Sequence, residues 1–161
     1  KTGHTEEAGY CLVASAVSDG ARMITSVFGT VSESARAAET QKLLTYGFRF
    51  FETRTFYKKG QELAQAQVWK GTVRQVKAGL ATDLSLTLPK GQLDKLQAGM
   101  TLNPQLTAPI AQGDVIGKVE VKLGEDVVHS ADLIALEAVE EGSFFRRLWD
   151  SISLFFFGLF N

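Results

Sequence analysis

Lys1-Thr2-Gly3-His4-Thr5-Glu6-Glu7-Ala8-Gly9-Tyr10-Cys11-Leu12-Val13-Ala14-Ser15-Ala16 opens the chain, and its reading decides the rest. From Tyr10 the stretch is apolar, which predicts a strand. Working outward, Gly9 to Val17 and Ala21 to Phe28 form two such runs. Between them lies Ser18-Asp19-Gly20, a turn sequence whose glycine supplies a positive φ. Ser32 is placed to cap a helix, and Glu33 sits in the first turn, where the helix dipole favours a carboxylate. Ala35, Ala38, Leu43, Leu44, Phe48 and Phe51 then recur at helical spacing. A strand pair followed by a helix is expected.

From about Tyr57 the pattern changes to short runs split by Gly, Pro and Asn. They are Ala66 to Lys70, Val73 to Leu80, Leu84 to Leu88, Met100 to Leu102, Gln105 to Ile110, Val115 to Leu123 and Val127 to Leu136. In Lys118-Val119-Glu120-Val121-Lys122-Leu123 the alternation is clean and puts Val119, Val121 and Leu123 on one face. Leu123-Gly124-Glu125-Asp126-Val127 reads as a hairpin, and Pro89, Pro104 and Pro109 fall where a missing N–H is tolerated. Strands at this spacing predict a small β-sandwich.

The last segment is amphipathic. On a helix, Phe144, Phe145, Leu148, Trp149, Ile152, Phe155, Phe156, Leu159 and Phe160 fill one arc. Arg146, Arg147, Asp150, Ser151, Ser153 and Gly158 fill the other, with Leu154 and Phe157 as exceptions. The run is too short and too charged to span a bilayer, which needs ~20 predominantly apolar residues. A core helix would carry the same stripe. The terminal position, the acidic break Glu137 to Gly142 and the Phe and Trp content favour an interfacial helix instead.

Composition narrows the function classes. The 161 residues are 45% hydrophobic with a formal net charge of −1, enough apolar content for one or two modest cores. That balance argues against a nucleic-acid partner, which calls for a clustered basic surface. The single cysteine, Cys11, permits no internal disulfide and is read as a small buried hydrophobe. Cys11, His4 and His129 are too scattered to bind a metal, and no cofactor is implied.

A Lys-Thr-Gly triplet on a strand edge is one of three short motifs of penicillin-recognising serine enzymes. Here Lys1-Thr2-Gly3 runs on through His4 into the apolar strand, and the whole stretch resembles D-alanyl-D-alanine carboxypeptidases of the penicillin-binding protein 5 and 6 type. The resemblance extends to the C-terminus. It implies an α+β remnant of a penicillin-binding (β-lactamase/transpeptidase-like) domain in residues 1–56, an all-β sandwich domain in 57–139, and an amphipathic membrane-anchor helix in 140–161. No serine stands three residues before a lysine, and no Ser-x-Asn or G-x-S-x-G occurs. The chain is therefore expected to be the C-terminal part of a longer enzyme, inactive alone for want of its nucleophile and base.

For the full-length protein, the resemblance implies serine acyl-enzyme removal of the terminal D-alanine from peptidoglycan stem peptides, with β-lactams acylating the same serine. Lys1, Thr2 and Gly3 would bind substrate: a cation, a hydroxyl for its carboxylate, and a side-chain-free stretch of backbone. His4 would contribute its backbone N–H to the oxyanion hole, its imidazole playing no required part. The location implied is periplasmic, on the outer face of the inner membrane, and any homo-oligomer would form through the tail. The alternatives are a non-catalytic, membrane-tethered β-sandwich interaction module and, less well matched, a β-lactamase. A dedicated β-lactamase would end soon after the first helix.

Overall fold

The computed structural model describes residues 1–159, with side chains described through residue 151. It divides into two compact units: Lys1–Arg54 with Ser85–Asp94, and Thr55–Leu84 with Lys95 onward.

Unit 1 begins with strands β1 (Thr2–Thr5), β2 (Gly9–Ser18) and β3 (Ala21–Thr30), antiparallel and in that order across one sheet. The turn between β1 and β2 is Glu6-Glu7-Ala8, and Thr5 Oγ1 accepts a hydrogen bond from the Ala8 N–H at 3.0 Å. Gly9 then takes φ +64°, and a Cβ there would meet the Thr30 carbonyl oxygen at 2.9 Å. Only glycine satisfies both conditions at once. The second hairpin turns at Asp19 (φ 50°) and Gly20 (φ 77°), as the Ser-Asp-Gly turn predicts.

Helix α1 (Glu33–Phe50) is capped as expected: Ser32 is extended and its side chain accepts from the Ala35 N–H at 3.1 Å. Leu12, Ala14 and Ala16 share a sheet face with Val27, Thr25 and Met23, and α1 lies on that side, with Gly47 close to Met23. The opposite face carries Val13, Val17, Ile24 and Phe28, all exposed. Phe51 differs from the helical reading. It is the C-cap of α1, extended at φ −118°, and begins β4 (Phe51–Tyr57). The repeat continued by coincidence, because a half-buried strand also presents an aromatic at its start. β4 pairs with β7 (Leu84–Pro89), and the Thr53 and Thr87 hydroxyls lie 2.7 Å apart across them.

Unit 2 is built on β5 (Ala64–Trp69), β6 (Gln75–Gly79), β8 (Leu96–Leu102), β9 (Leu106–Thr107), β10 (Val115–Leu123) and β11 (Asp126–Ala135). They form one six-stranded sheet in the order β8-β10-β11-β6-β5-β9, antiparallel except for β5 and β9. The predicted hairpin joins β10 to β11, with Leu123 opposite Asp126 and Gly124 at φ +66°. The predicted alternation in β10 buries Val119 and Val121 and half-buries Leu123. Together with Val76, Ile116, Leu133 and Val139 they form the core. The run Gln105 to Ile110 yields only the two residues of β9, because Pro104 and Pro109 withhold the N–H groups a longer strand needs. Beyond the sheet, Phe144–Leu159 form helix α2.

Gly9→Ala is expected to destabilise by about 1–2 kcal/mol from the left-handed φ alone, and by more from the contact with Thr30. Gly20→Ala has the same φ penalty with nothing within 4 Å of the new Cβ. Chemical denaturation of both variants separates the two costs, and equal losses would remove the Thr30 contact from the account.

Candidate functional site

Thr2, Gly3 and His4 lie on β1, the edge strand of its sheet, with Lys1 immediately before it, and all four are exposed. Their backbone directions follow from pairing. Val13 N–H donates to the Lys1 oxygen at 2.9 Å and the Lys1 nitrogen donates to the Val13 oxygen at 2.7 Å, so these residues form a hydrogen-bonded pair. Antiparallel ladders alternate. With Thr2 opposite Leu12, Gly3 opposite Cys11 and His4 opposite Tyr10, the groups of Gly3 turn toward β2. Those of Thr2 and His4 turn away from it, toward the open edge. A ligand lying along β1 therefore meets the N–H and carbonyl of Thr2 and His4.

Side chains alternate as well. Lys1 and Gly3 point to one side of the strand, Thr2 and His4 to the other. A Cβ on Gly3 would find nothing within 4 Å, so the glycine leaves open space beside the strand. The edge thus offers one cation, one hydroxyl, two outward backbone N–H groups and a bare stretch of chain, a donor-rich rail suited to a carboxylate and an extended peptide.

Two residues at this edge escaped the sequence reading. The His4 and Tyr10 rings stack with centroids 3.9 Å apart and an interplanar angle of 31°. The Arg36 guanidinium carbon, on α1, lies 5.6 Å from the centroid of the Tyr10 ring. Laying out the hairpin register from the three-residue turn would have put Tyr10 opposite His4; nothing local in the sequence points to Arg36. Cys11 is half-buried, its Sγ 3.5 Å from the Ala8 oxygen. Among the described residues no group of three or more His, Cys, Asp or Glu gathers to hold a metal.

The other candidate surface is α2. Of the nine apolar residues assigned to its face, Phe144, Phe145, Leu148 and Trp149 are exposed at 68%, 82%, 51% and 70%. The side chains of Ile152, Phe155, Phe156 and Leu159, and Phe160 altogether, lie outside the described residues. Polar residues of the helix bond the sheet domain, and Phe144, Leu148 and Trp149 line shallow cavities against it. Asp150 Oδ2 accepts from the Lys70 N–H at 2.7 Å, Arg146 Nη1 donates to the Thr72 oxygen at 2.9 Å, and Arg147 pairs with Glu141. Lys70 has φ 61°, a left-handed backbone that aims its N–H at the helix. No helix among the described residues is long and apolar enough to cross a membrane.

Residues 51–141 match the family described as penicillin-binding protein 5, C-terminal domain, and residues 1–32 match the D-alanyl-D-alanine carboxypeptidase family. The chain belongs to the penicillin-binding protein 5 type of D-alanyl-D-alanine carboxypeptidases. It is 44% identical over 157 residues to D-alanyl-D-alanine carboxypeptidase DacC of Escherichia coli K12, covering 97% of this chain and 39% of the relative. To D-alanyl-D-alanine carboxypeptidase DacA of Haemophilus influenzae it is 40% identical over 163 residues, covering 100% and 42%. The crystal structure of penicillin binding protein 5 from Haemophilus influenzae superposes with a TM-score of 0.80 at 40% identity, covering 88% of this chain and 42% of that one. The chain thus spans about two fifths of the length of these relatives.

Because Lys1 and Thr2 are exposed and make no core contact, Lys1→Ala and Thr2→Val are expected to change stability by no more than ~0.5 kcal/mol. Thermal unfolding checks this, and a larger loss would make either side chain structural.

Proposed function

We propose that this chain forms one wall of the active site of a serine-type D-Ala-D-Ala carboxypeptidase and carries that enzyme's membrane anchor. The single observation behind the first part is the open edge of β1, which turns the backbone groups of Thr2 and His4 outward beside the exposed Lys1. In the proposed reaction a serine outside these 161 residues attacks the carbonyl between the last two D-alanines of a peptidoglycan stem peptide. The His4 N–H donates to the oxygen as negative charge develops on it, the gain being larger in the transition state than in the ground state. Lys1 and Thr2 hold the terminal carboxylate from the two sides of the strand, and Gly3 lets the peptide backbone lie close. D-Alanine leaves, and water releases the acyl-enzyme. A β-lactam carries a carboxylate and a strained amide in the same relation, so it takes the same place and remains as the acyl group.

The exposed apolar face of Val13, Val17, Ile24 and Phe28 supports this reading, since covering both faces of an apolar sheet takes a further layer, and α1 covers only one. In the full-length enzyme, Lys1→Ala is expected to lower the second-order rate of acylation by a fluorescent penicillin roughly a hundredfold or more, with the melting temperature retained. The 161-residue chain alone is expected to form no covalent adduct. A labelled band at its size would place a nucleophile within it and overturn the assignment.

For the second part, α2 is proposed to lie in the bilayer interface on the outer face of the cytoplasmic membrane, placing the enzyme in the periplasm beside its substrate. Four exposed apolar residues in the first two turns support it, as do the hydrogen bonds that Asp150 and Arg146 make to the sheet domain. At ~1.5–3 kcal/mol for each fully buried large side chain, even partial insertion of the nine yields a gross gain on the order of 10 kcal/mol, before ordering costs. Deleting residues 144–161 is expected to move the protein to the soluble fraction with its fold intact, while the complete chain binds zwitterionic vesicles and resists high salt. Membrane association that survives the deletion would refute the anchor.

A further inference from the structure

The His4 and Tyr10 pair has a structural peculiarity. Because Lys1 and Val13 exchange hydrogen bonds, His4 and Tyr10 occupy the non-hydrogen-bonded register of the β1–β2 ladder. No backbone bond ties His4 to β2. Its other side is the open edge. β1 is four residues long, and every residue in it is exposed. The Gly3 carbonyl, in the same peptide plane as the His4 N–H, turns to β2 in the Gly3–Cys11 pair; the further restraint on His4 is its side chain, which is stacked, the rings lying 3.9 Å apart, as close as non-hydrogen-bonded pairs allow. Tyr10 is in turn held from both directions. Arg36 rests over its ring at 5.6 Å and is itself fixed by Glu33 at 2.8 Å, while Thr30 Oγ1 donates to the Tyr10 backbone oxygen at 2.9 Å. The column Arg36–Tyr10–His4 runs from the first turn of α1 to the edge strand.

We infer that Tyr10 and Arg36 are positioning residues that hold the His4 backbone N–H in place for the developing oxyanion. The inference rests on the reading of the β1 edge as an acyl-transfer site. A donor aimed at a transition state must stay within about 0.5 Å of its place, held by packed neighbours. The ladder to β2 holds β1 along one side only, and the stack adds a second restraint at His4 from the sheet face that α1 covers. The imidazole thus acts as a handle on its own backbone amide rather than as a base. The aromatic ring matters and the Tyr10 hydroxyl does not.

The test uses the full-length enzyme with 13C-labelled histidine, the His4 signal being assigned by its loss in His4→Gln. Tyr10→Leu is expected to move the His4 ring protons downfield, as the shielding ring is removed, and to lower penicillin acylation about tenfold, below the roughly hundredfold cost of a misplacement of about 1 Å. For a D-Ala-D-Ala peptide the loss should fall on kcat, with KM little changed. Tyr10→Phe should restore both the shift and the rate. Arg36→Met, which leaves the strands untouched, should lower acylation about threefold and carries the test if Tyr10→Leu does not fold. An unmoved His4 signal in Tyr10→Leu would overturn the inference, as would unchanged acylation when the signal does move. Equal losses in Tyr10→Phe and Tyr10→Leu would assign the effect to the hydroxyl and overturn it too. If the wild-type enzyme takes no penicillin, the acyl-transfer reading fails, and the NMR shifts still report the stack separately.

Discussion

The register of β1 against β2 is the constraint on which the candidate site depends. It is set by a three-residue turn and by Gly9, whose left-handed φ and closeness to the Thr30 oxygen exclude any side chain. A slip of one residue would exchange the two sets of backbone groups, turning those of Gly3 outward and hiding those of Thr2 and His4. It would also move His4 away from Tyr10. The chemistry proposed for the edge thus descends from the backbone conformation of a glycine that touches no substrate.

In the second unit the controlling feature is the β10–β11 hairpin at the centre of the sheet. Its inward residues, Val119, Val121 and Leu133, are almost wholly excluded from water, and the neighbouring strand β6 brings Val76 and Ala78 to the same core. Gly79 and Gly117 sit where an added Cβ would meet backbone oxygens at 2.5 Å, so neighbouring segments approach as closely as bare backbone permits. The first two turns of helix α2 are joined to this unit by hydrogen bonds from the Lys70 N–H to Asp150 and from Arg146 to the Thr72 oxygen.

Much of this was legible in the sequence because it is local. The Ser32 cap, the two hairpin turns, the alternation through Lys118 to Leu123 and the Lys-Thr-Gly edge all declare themselves within a few residues. The limits of α1 were less clear, since Phe51 continues the helical repeat while its backbone has already become a strand. The run from Gln105 to Ile110 overstated β9, because hydrophobicity does not reveal where prolines break a ladder. Non-local features were beyond reach. Arg36 over Tyr10 and Asp150 capping the Lys70 N–H join residues 26 and 80 positions apart, and composition offers no hint of such pairings. The parallel β5–β9 pairing and the return of β7 to β4 are topological facts of the same kind.

That return has a consequence for the order in which the chain is made. Unit 1 is discontinuous: it needs Ser85–Asp94, which leave the ribosome only after β5 and β6 of the other unit have been synthesised. Chains grow at ≈ 5–20 residues per second, so for a few seconds the partner strand of β4 does not exist while β5 and β6 already do. Of those two strands β6 lies next to β11 and β5 next to β9, both of which arrive still later. The nascent protein therefore passes through an interval in which both units hold unpaired strand edges, and neither closes first in the simple sense of a contiguous domain.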